Sequence, residues 1–175
     1  PPIRWRRYWR KKAARPAPRS ALPFCRPPQQ SRSKASSKSS DLSVQGLPWL
    51  IARPVAHRGL HGGGAVIENT PSAFVAAIAA GYGIECDLQV SADGEAMVFH
   101  DPTLGRLTEQ NARVDSLPAR DLKRLDFKAT KDHMITLGEL CDITAGRSPL
   151  LIEMKSHFQG DCRLLERTAR TLSNY

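Results

Sequence analysis

The stretch Gly83-Ile-Glu-Cys-Asp-Leu-Gln-Val-Ser-Ala-Asp-Gly-Glu-Ala-Met-Val-Phe-His-Asp101 decides how the rest of the chain is read. Ile84, Cys86, Leu88 and Val90 alternate with Glu85, Asp87 and Gln89 until Asp93 and Gly94 break the run, the pattern of strand, turn, strand. A period of two puts the carboxylates of Glu85 and Asp87 on one face. Two anions that close repel, and a divalent cation between them removes the repulsion. Oxygen donors alone suit a hard ion, Mg²⁺ or Ca²⁺, better than zinc. The second strand, Ala96 to Phe99, delivers His100 and Asp101 at its far end, so a proton-transfer group is expected near that metal.

Working outward, the 175 residues are 41% hydrophobic, enough for one modest core. The net charge of +9 is unevenly spread: residues 1–50 hold 12 Lys and Arg against one acid, and the remaining 125 residues hold 14 against 16. The basic excess therefore lies in the N-terminal third, and the high pI makes no strong case for nucleic acid. Residues 1–45 are rich in Arg, Lys, Pro and Ser and read as a solvated, disordered basic tail that cannot bury enough apolar surface to order itself. The alternatives for it are an arm for RNA or anionic lipid, with Trp5, Tyr8 and Trp9 to stack on bases, an organellar presequence, or sequence upstream of a true start. Cys25, Cys86, Cys141 and Cys162 form no C-x-x-C pair, so neither a zinc knuckle nor a disulfide framework is expected and all four read as reduced. No apolar run reaches the ~18 residues of a membrane span, and a cytoplasmic location is the expectation.

Pro54-Val55-Ala56 reads as a short strand ending at His57-Arg58-Gly59, followed by a glycine-rich loop. Thr70 as N-cap and Pro71 as first helical residue predict a helix to Ala80, stopped by Gly81. A short capped helix is predicted within Ser116–Leu125, and Thr136 with Glu139 is a capping box for another that Gly146 ends. The strand Pro149–Lys155 places Leu151, Glu153 and Lys155 on one face. A last amphipathic helix, Asp161 to Leu172, is expected to turn Cys162, Leu165 and Ala169 inward.

Four strands thus end in polar residues: His57 and Arg58, Glu85 and Asp87, His100 and Asp101, Glu153 and Lys155. In a parallel α/β sheet or barrel such ends gather where active sites are built. The ordered series His-Arg-Gly, Glu-Asn-Thr, Ile-Glu-Cys-Asp, Val-Phe-His-Asp, Leu-Gly-Arg-Leu-Thr and Ile-Glu-Met-Lys closely resembles the glycerophosphodiester phosphodiesterases, metal-dependent enzymes on a TIM-barrel fold. The resemblance implies Glu85, Asp87 and Glu153 as ligands of one divalent cation, His57 and His100 as the general acid and base, and Arg58 and Lys155 as the phosphate holders. It implies a small glycerophosphodiester as substrate, with glycerol 3-phosphate and an alcohol as products. Glu68 and Asn69 would shape the loop around the site, and residues 102–135 would be an insertion beside the substrate entrance. A lone Glu-x-Asp on a strand is ordinarily a solvated face; it is the ordered set that speaks for a site. His61, His133 and His157 match no motif and read as surface or loop residues, Cys86 as packing against a helix, and Asp101 as orienting His100.

A TIM barrel takes about 250 residues and eight strands. Residues 46–175 offer four, so the fold expected is an α/β, (β/α)8-type barrel truncated after about four strands, with impaired hydrolysis. Two other readings stay open: a catalytically inactive partial barrel whose basic arm binds nucleic acid or anionic lipid, and a phospholipase C-like or sphingomyelinase D-like phosphodiesterase. The oligomeric state is not legible.

Overall fold

The computed structural model describes residues 48–156 and 160–175. The expectations for the basic tail and for His157 lie outside the described residues. Element order is α1 (Pro48–Ile51), β1 (Val55–Ala56), α2 (Pro71–Ala79), β2 (Gly83–Val90), β3 (Ala96–Val98), a 3-10 turn (Val114–Ser116), α3 (Ala119–Leu122), α4 (Leu137–Thr144), β4 (Leu150–Met154) and α5 (Arg163–Leu172).

β2 is the centre of a four-stranded sheet. β1 runs parallel to its start, Val55 beside Gly83 and Ala56 beside Ile84, so Glu85 already lies past the end of β1. β4 runs parallel along the other edge, from Ile84 opposite Leu150 to Leu88 opposite Met154. Strands joined by helical crossovers are the units a barrel of this type repeats. β3 corrects the expectation of four parallel strand ends: it pairs antiparallel with β2, Leu88 opposite Val98 and Val90 opposite Ala96. The connection explains this, since Ser91 to Glu95 is far shorter than the dozen or so residues a parallel crossover needs. Instead Ser91 N–H donates to Glu95 O at 3.0 Å, and Gly94 takes a φ of +82° to close the turn.

The apolar face of β2 packs on helices. Ile84, Cys86 and Leu88 join Phe74 and Ala77 of α2, Leu137, Leu140 and Cys141 of α4, and Leu164 of α5 in one buried cluster. Cys86 and Cys141 are free and buried, as read; Cys162 is disulfide-bonded, against the expectation that all four stay reduced. A second cluster is built from Met97, Phe99, Leu104, Val114, Leu122, Phe127 and Met134. Phe99 and Phe127 stack with ring centroids 6.4 Å apart, so the segment read as an insertion carries a small core of its own beside β3.

The helix ends show which signals act. Thr136 and Glu139 form the capping box: Thr136 N–H donates to Glu139 Oε2 at 2.9 Å, and Glu139 N–H donates to Thr136 Oγ1 at 3.3 Å. Thr70 stands at the N-cap position of α2, but its hydroxyl turns back to donate to Ile67 O at 2.8 Å and caps nothing. Asp132, 60 residues away, accepts from Ser72 N–H and Ser72 Oγ in its place, at 3.4 and 2.9 Å. The capped helix predicted within Ser116–Leu125 is shorter than expected: only Ala119–Leu122 is α-helical, and the 3-10 turn Val114–Ser116 precedes it. Pro118 offers no side-chain acceptor at the start of α3, and Asp93 Oδ1 accepts from Ala119 N–H at 3.0 Å instead. α5 is rotated from the expected face: Leu164, Thr168 and Thr171 are buried, while Leu165 is 51% exposed. Leu164 enters the apolar cluster, and Arg167, outside the core, donates through Nε to Glu95 Oε1 at 2.7 Å.

Candidate active site

The polar face of β2 is not solvated. Asp87 is 1% exposed and Glu85 8%, so the strand is buried on both sides and its acids need partners. Those partners come from the segment after β1 and from β4.

Arg58, the second residue past β1, has a φ of +58°, an uncommon conformation for a side chain of this size. It aims the Arg58 N–H at Glu85 Oε2, 2.8 Å away, while the side chain turns to Glu68 and Asp87: Nη1 donates to Glu68 Oε1 at 2.9 Å, and Nε lies 3.3 Å from Asp87 Oδ2. Gly59 follows at φ +81°, packed so closely on α2 that a Cβ there would stand 2.8 Å from Ala73 Cβ. Asn69, also at positive φ (+56°), donates from Nδ2 to Asp87 Oδ2 at 2.9 Å and accepts from Asp87 N–H at 3.3 Å. Glu68 and Asn69 therefore shape the site, as expected of them.

From β4, register sets Glu153 beside Asp87. Lys155 Nζ sits between them, 2.5 Å from Glu153 Oε1 and 2.9 Å from Asp87 Oδ1. Burial disfavours the Lys155 charge, but Glu153 and Asp87 outweigh it and hold the ammonium above its usual range. Ligand atoms of Glu85, Asp87 and Glu153 all lie within 4.8 Å of one another. Asp87 Oδ1, buried and close to Lys155, receives no aligned hydrogen bond among the described residues. Three carboxylates converging on one point, an all-oxygen donor set, fit a hard divalent cation.

His57 stands at the rim, its side chain 70% exposed and Nε2 4.0 Å from Glu85 Oε2. His100 is brought back by β3: Phe99 N–H donates to Asp87 O at 3.0 Å, and Gln89 Nε2 donates to His100 O at 2.8 Å. Its Nδ1 is 2.6 Å from Asp101 Oδ1, the orienting contact expected of Asp101. The Asp101 carboxyl is held below the usual carboxylate range, first by Arg106 and then by His100, against burial. Burial raises Glu68, but Arg106 and Arg58 outweigh it and leave its carboxyl below the ordinary value. Burial pushes the Cys86 thiol well up, with Glu85 and Asp87 adding to it, so this sulfur stays protonated and packs in the core.

Among the seven residues expected at the site, Arg58, Glu85, Asp87, Glu153 and Lys155 meet directly; His57 approaches from the rim, and His100 is tied to the same strand through its backbone and Gln89. Sequence reasoning gave no role to Arg106, which contacts both Glu68 and Asp101; its only signal was its place in Leu-Gly-Arg-Leu-Thr.

A sequence model of the glycerophosphoryl diester phosphodiesterase family matches residues 57–165. A glycerophosphodiester phosphodiesterase of Caldanaerobacter subterraneus subsp. tengcongensis is 34% identical over 110 residues, 58% of this chain and 44% of that protein. One from Bacillus altitudinis is 42% identical over 107 residues, 57% of this chain and 43% of its own. Among solved structures, an Oleispira antarctica phosphodiesterase in complex with the product sn-glycerol-3-phosphate superposes with a TM-score of 0.63 at 26% identity, over 69% of this chain and 51% of that one. A glycerophosphodiester phosphodiesterase from Thermotoga maritima gives 0.57 at 27%, over 69% and 49%. The chain spans about half the length of these proteins or somewhat less. With the motif series in place on the sheet and more than half of its length matched, the chain belongs to the glycerophosphoryl diester phosphodiesterase family and has a fold of the TIM-barrel type.

Proposed function

We propose that the protein hydrolyses glycerophosphodiesters to glycerol 3-phosphate and an alcohol such as choline or ethanolamine, a step of glycerol and lipid metabolism. The observation that carries this reading is the meeting of Glu85, Asp87 and Glu153 beside two cationic side chains and an exposed imidazole. Family membership supports the same reaction class.

In this reading Glu85, Asp87 and Glu153 hold one Mg²⁺ or Ca²⁺, which when bound draws charge from the phosphoryl oxygens. Arg58 and Lys155, already beside Asp87, supply fixed positive charge to the phosphodiester. Between them, His57 and His100 move the protons: one takes a proton from the attacking hydroxyl or water as the new O–P bond forms, and the other gives a proton to the departing alcohol as its P–O bond breaks. His100 Nδ1 is engaged with Asp101, which leaves its Nε2 for that exchange. The exposed rim position of His57 suits a group that must meet an arriving substrate.

The test is glycerol 3-phosphate release from glycerophosphocholine with and without added Mg²⁺ or Ca²⁺, in wild type and in the His57→Ala and His100→Ala variants. Release that needs a divalent cation and is lost in both variants supports the reading; absence of release across several diesters refutes it.

A further inference from the structure

Arg106 joins two carboxylates on opposite flanks of the site. Its Nη1 and Nη2 donate to Glu68 Oε2 and Oε1 at 3.1 and 2.6 Å. Its Nε and Nη2 donate to Asp101 Oδ2 and Oδ1 at 2.5 and 3.1 Å. Glu68 Oε1 is also the acceptor for Arg58 Nη1, and Asp101 Oδ1 also meets His100 Nδ1. Arg58, Glu68, Arg106, Asp101 and His100 therefore form an unbroken chain of guanidinium, carboxylate and imidazole contacts, from the segment after β1 to the segment after β3. A planar guanidinium with a fork on each carboxylate fixes their orientation as well as their charge, which a flexible ammonium does not.

The loop that carries Arg106 is itself anchored. Leu104 is buried in the second apolar cluster, and its carbonyl accepts from the N–H groups of Leu107 and Thr108 at 3.2 and 3.0 Å. Lys128 Nζ donates to Gly105 O at 2.9 Å. A surface arginine held only by solvent would need none of this.

We propose that Arg106 is a positioning residue for the hydrolysis described above: by fixing both oxygens of Asp101 it keeps the proton of His100 on Nδ1 and Nε2 available, and through Glu68 it holds Arg58 in place. The proposal rests on the hydrolytic reading of the site. The low titration range of Asp101 supports it, because the carboxylate remains an acceptor for the His100 ring.

The experiment compares wild type, Arg106→Gln and Arg106→Lys, with Arg120→Gln as a control arginine that is highly exposed and only loosely paired with Asp121, at 3.5 Å. Four quantities are read: kcat and KM per folded molecule, the ¹⁵N signals of the His100 ring, and the melting temperature. Arg106→Gln should lower kcat about 10- to 100-fold, the range seen when a partner that orients a site residue is removed, and should shift the His100 ring away from the Nδ1–H form. Arg106→Lys should recover part of kcat, and Arg120→Gln should match wild type. An unchanged His100 tautomer, or an unchanged kcat, in Arg106→Gln overturns the proposal even if the melting temperature falls. Should wild type release no glycerol 3-phosphate, the hydrolytic reading fails by itself, and the tautomer comparison still decides the role of Arg106.

Discussion

Asp87 and Glu153 stand opposite one another across β2 and β4, and Lys155 Nζ lies between their carboxylates. One lysine thus neutralises two of the three acids that converge on the candidate cation position. A cation arriving there competes with this ammonium for the same oxygens. Lys155→Met should therefore bind Mn²⁺, used as a spectroscopic stand-in, more tightly than wild type while turning over about 100-fold more slowly, the loss typical of one missing charge-stabilising group. Titration followed by electron paramagnetic resonance checks the first expectation and steady-state kinetics the second.

Removing an acid should act in the opposite sense. Glu153→Gln keeps size and shape but loses charge on a side chain that is 58% exposed, so the fold should be spared. Cation affinity should fall by at least ~10-fold, since a direct ligand matters no less than the groups behind it. Asp87→Ala is different: Arg58, Lys155 and Asn69 all lose a partner in a buried place, and about 1.5–3 kcal/mol of stability should go with them. Urea unfolding of the two variants separates these effects.

Gly59→Ala should damage both stability and activity. Its φ of +81° and the 2.8 Å approach to Ala73 Cβ leave no room for a methyl group without shifting α2 or Arg58. A cost of roughly 1–3 kcal/mol is expected from the backbone conformation alone. Thermal melts measure it, and a rise in KM would report the displaced Arg58.

The capping box makes a pH-dependent prediction. Burial raises Glu139, but Lys123 and Thr136 outweigh it, so its carboxyl titrates below the ordinary glutamate range. The folded state therefore binds fewer protons there than the unfolded one. The stabilisation is present in full above the ordinary range, near pH ~4.3, and is lost as pH falls through the depressed folded value. Thr136→Ala should cost about 1 kcal/mol at neutral pH and flatten the acid side of the stability profile. Melts of both proteins from pH ~7 down to ~3 check the sign.

Much of the site was legible because its residues are spaced by strand geometry. Glu85 and Asp87 two apart on β2, and Glu153 and Lys155 two apart at the end of β4, needed only the period of two and a parallel register to meet. The Thr136 capping box was legible for a similar reason, since all its partners lie within one turn. The misreadings concern which of several partners, near or far, a side chain takes. Thr70 found a nearer acceptor in Ile67 O and left the start of α2 to Asp132. Leu165 carries the apolar character expected of an inner face, yet its neighbour Leu164 takes the buried place and Leu165 faces outward. The burial of Glu85 and Asp87 could not be read from alternation alone, because a polar face covered by Arg58, Asn69 and Lys155 has the same pattern as one covered by water. Arg106 escaped notice because its two partners are 38 and five residues away in different directions.

The central claim is that this carboxylate and histidine cluster cleaves a phosphodiester to give glycerol 3-phosphate. Following glycerophosphocholine by ³¹P nuclear magnetic resonance tests it most directly. The account predicts that the diester signal gives way to that of glycerol 3-phosphate with Mg²⁺ or Ca²⁺ present, that chelation stops the change, and that Glu85→Ala does not support it. A diester signal that never changes, or one that decays equally in wild type and Glu85→Ala, would contradict the account.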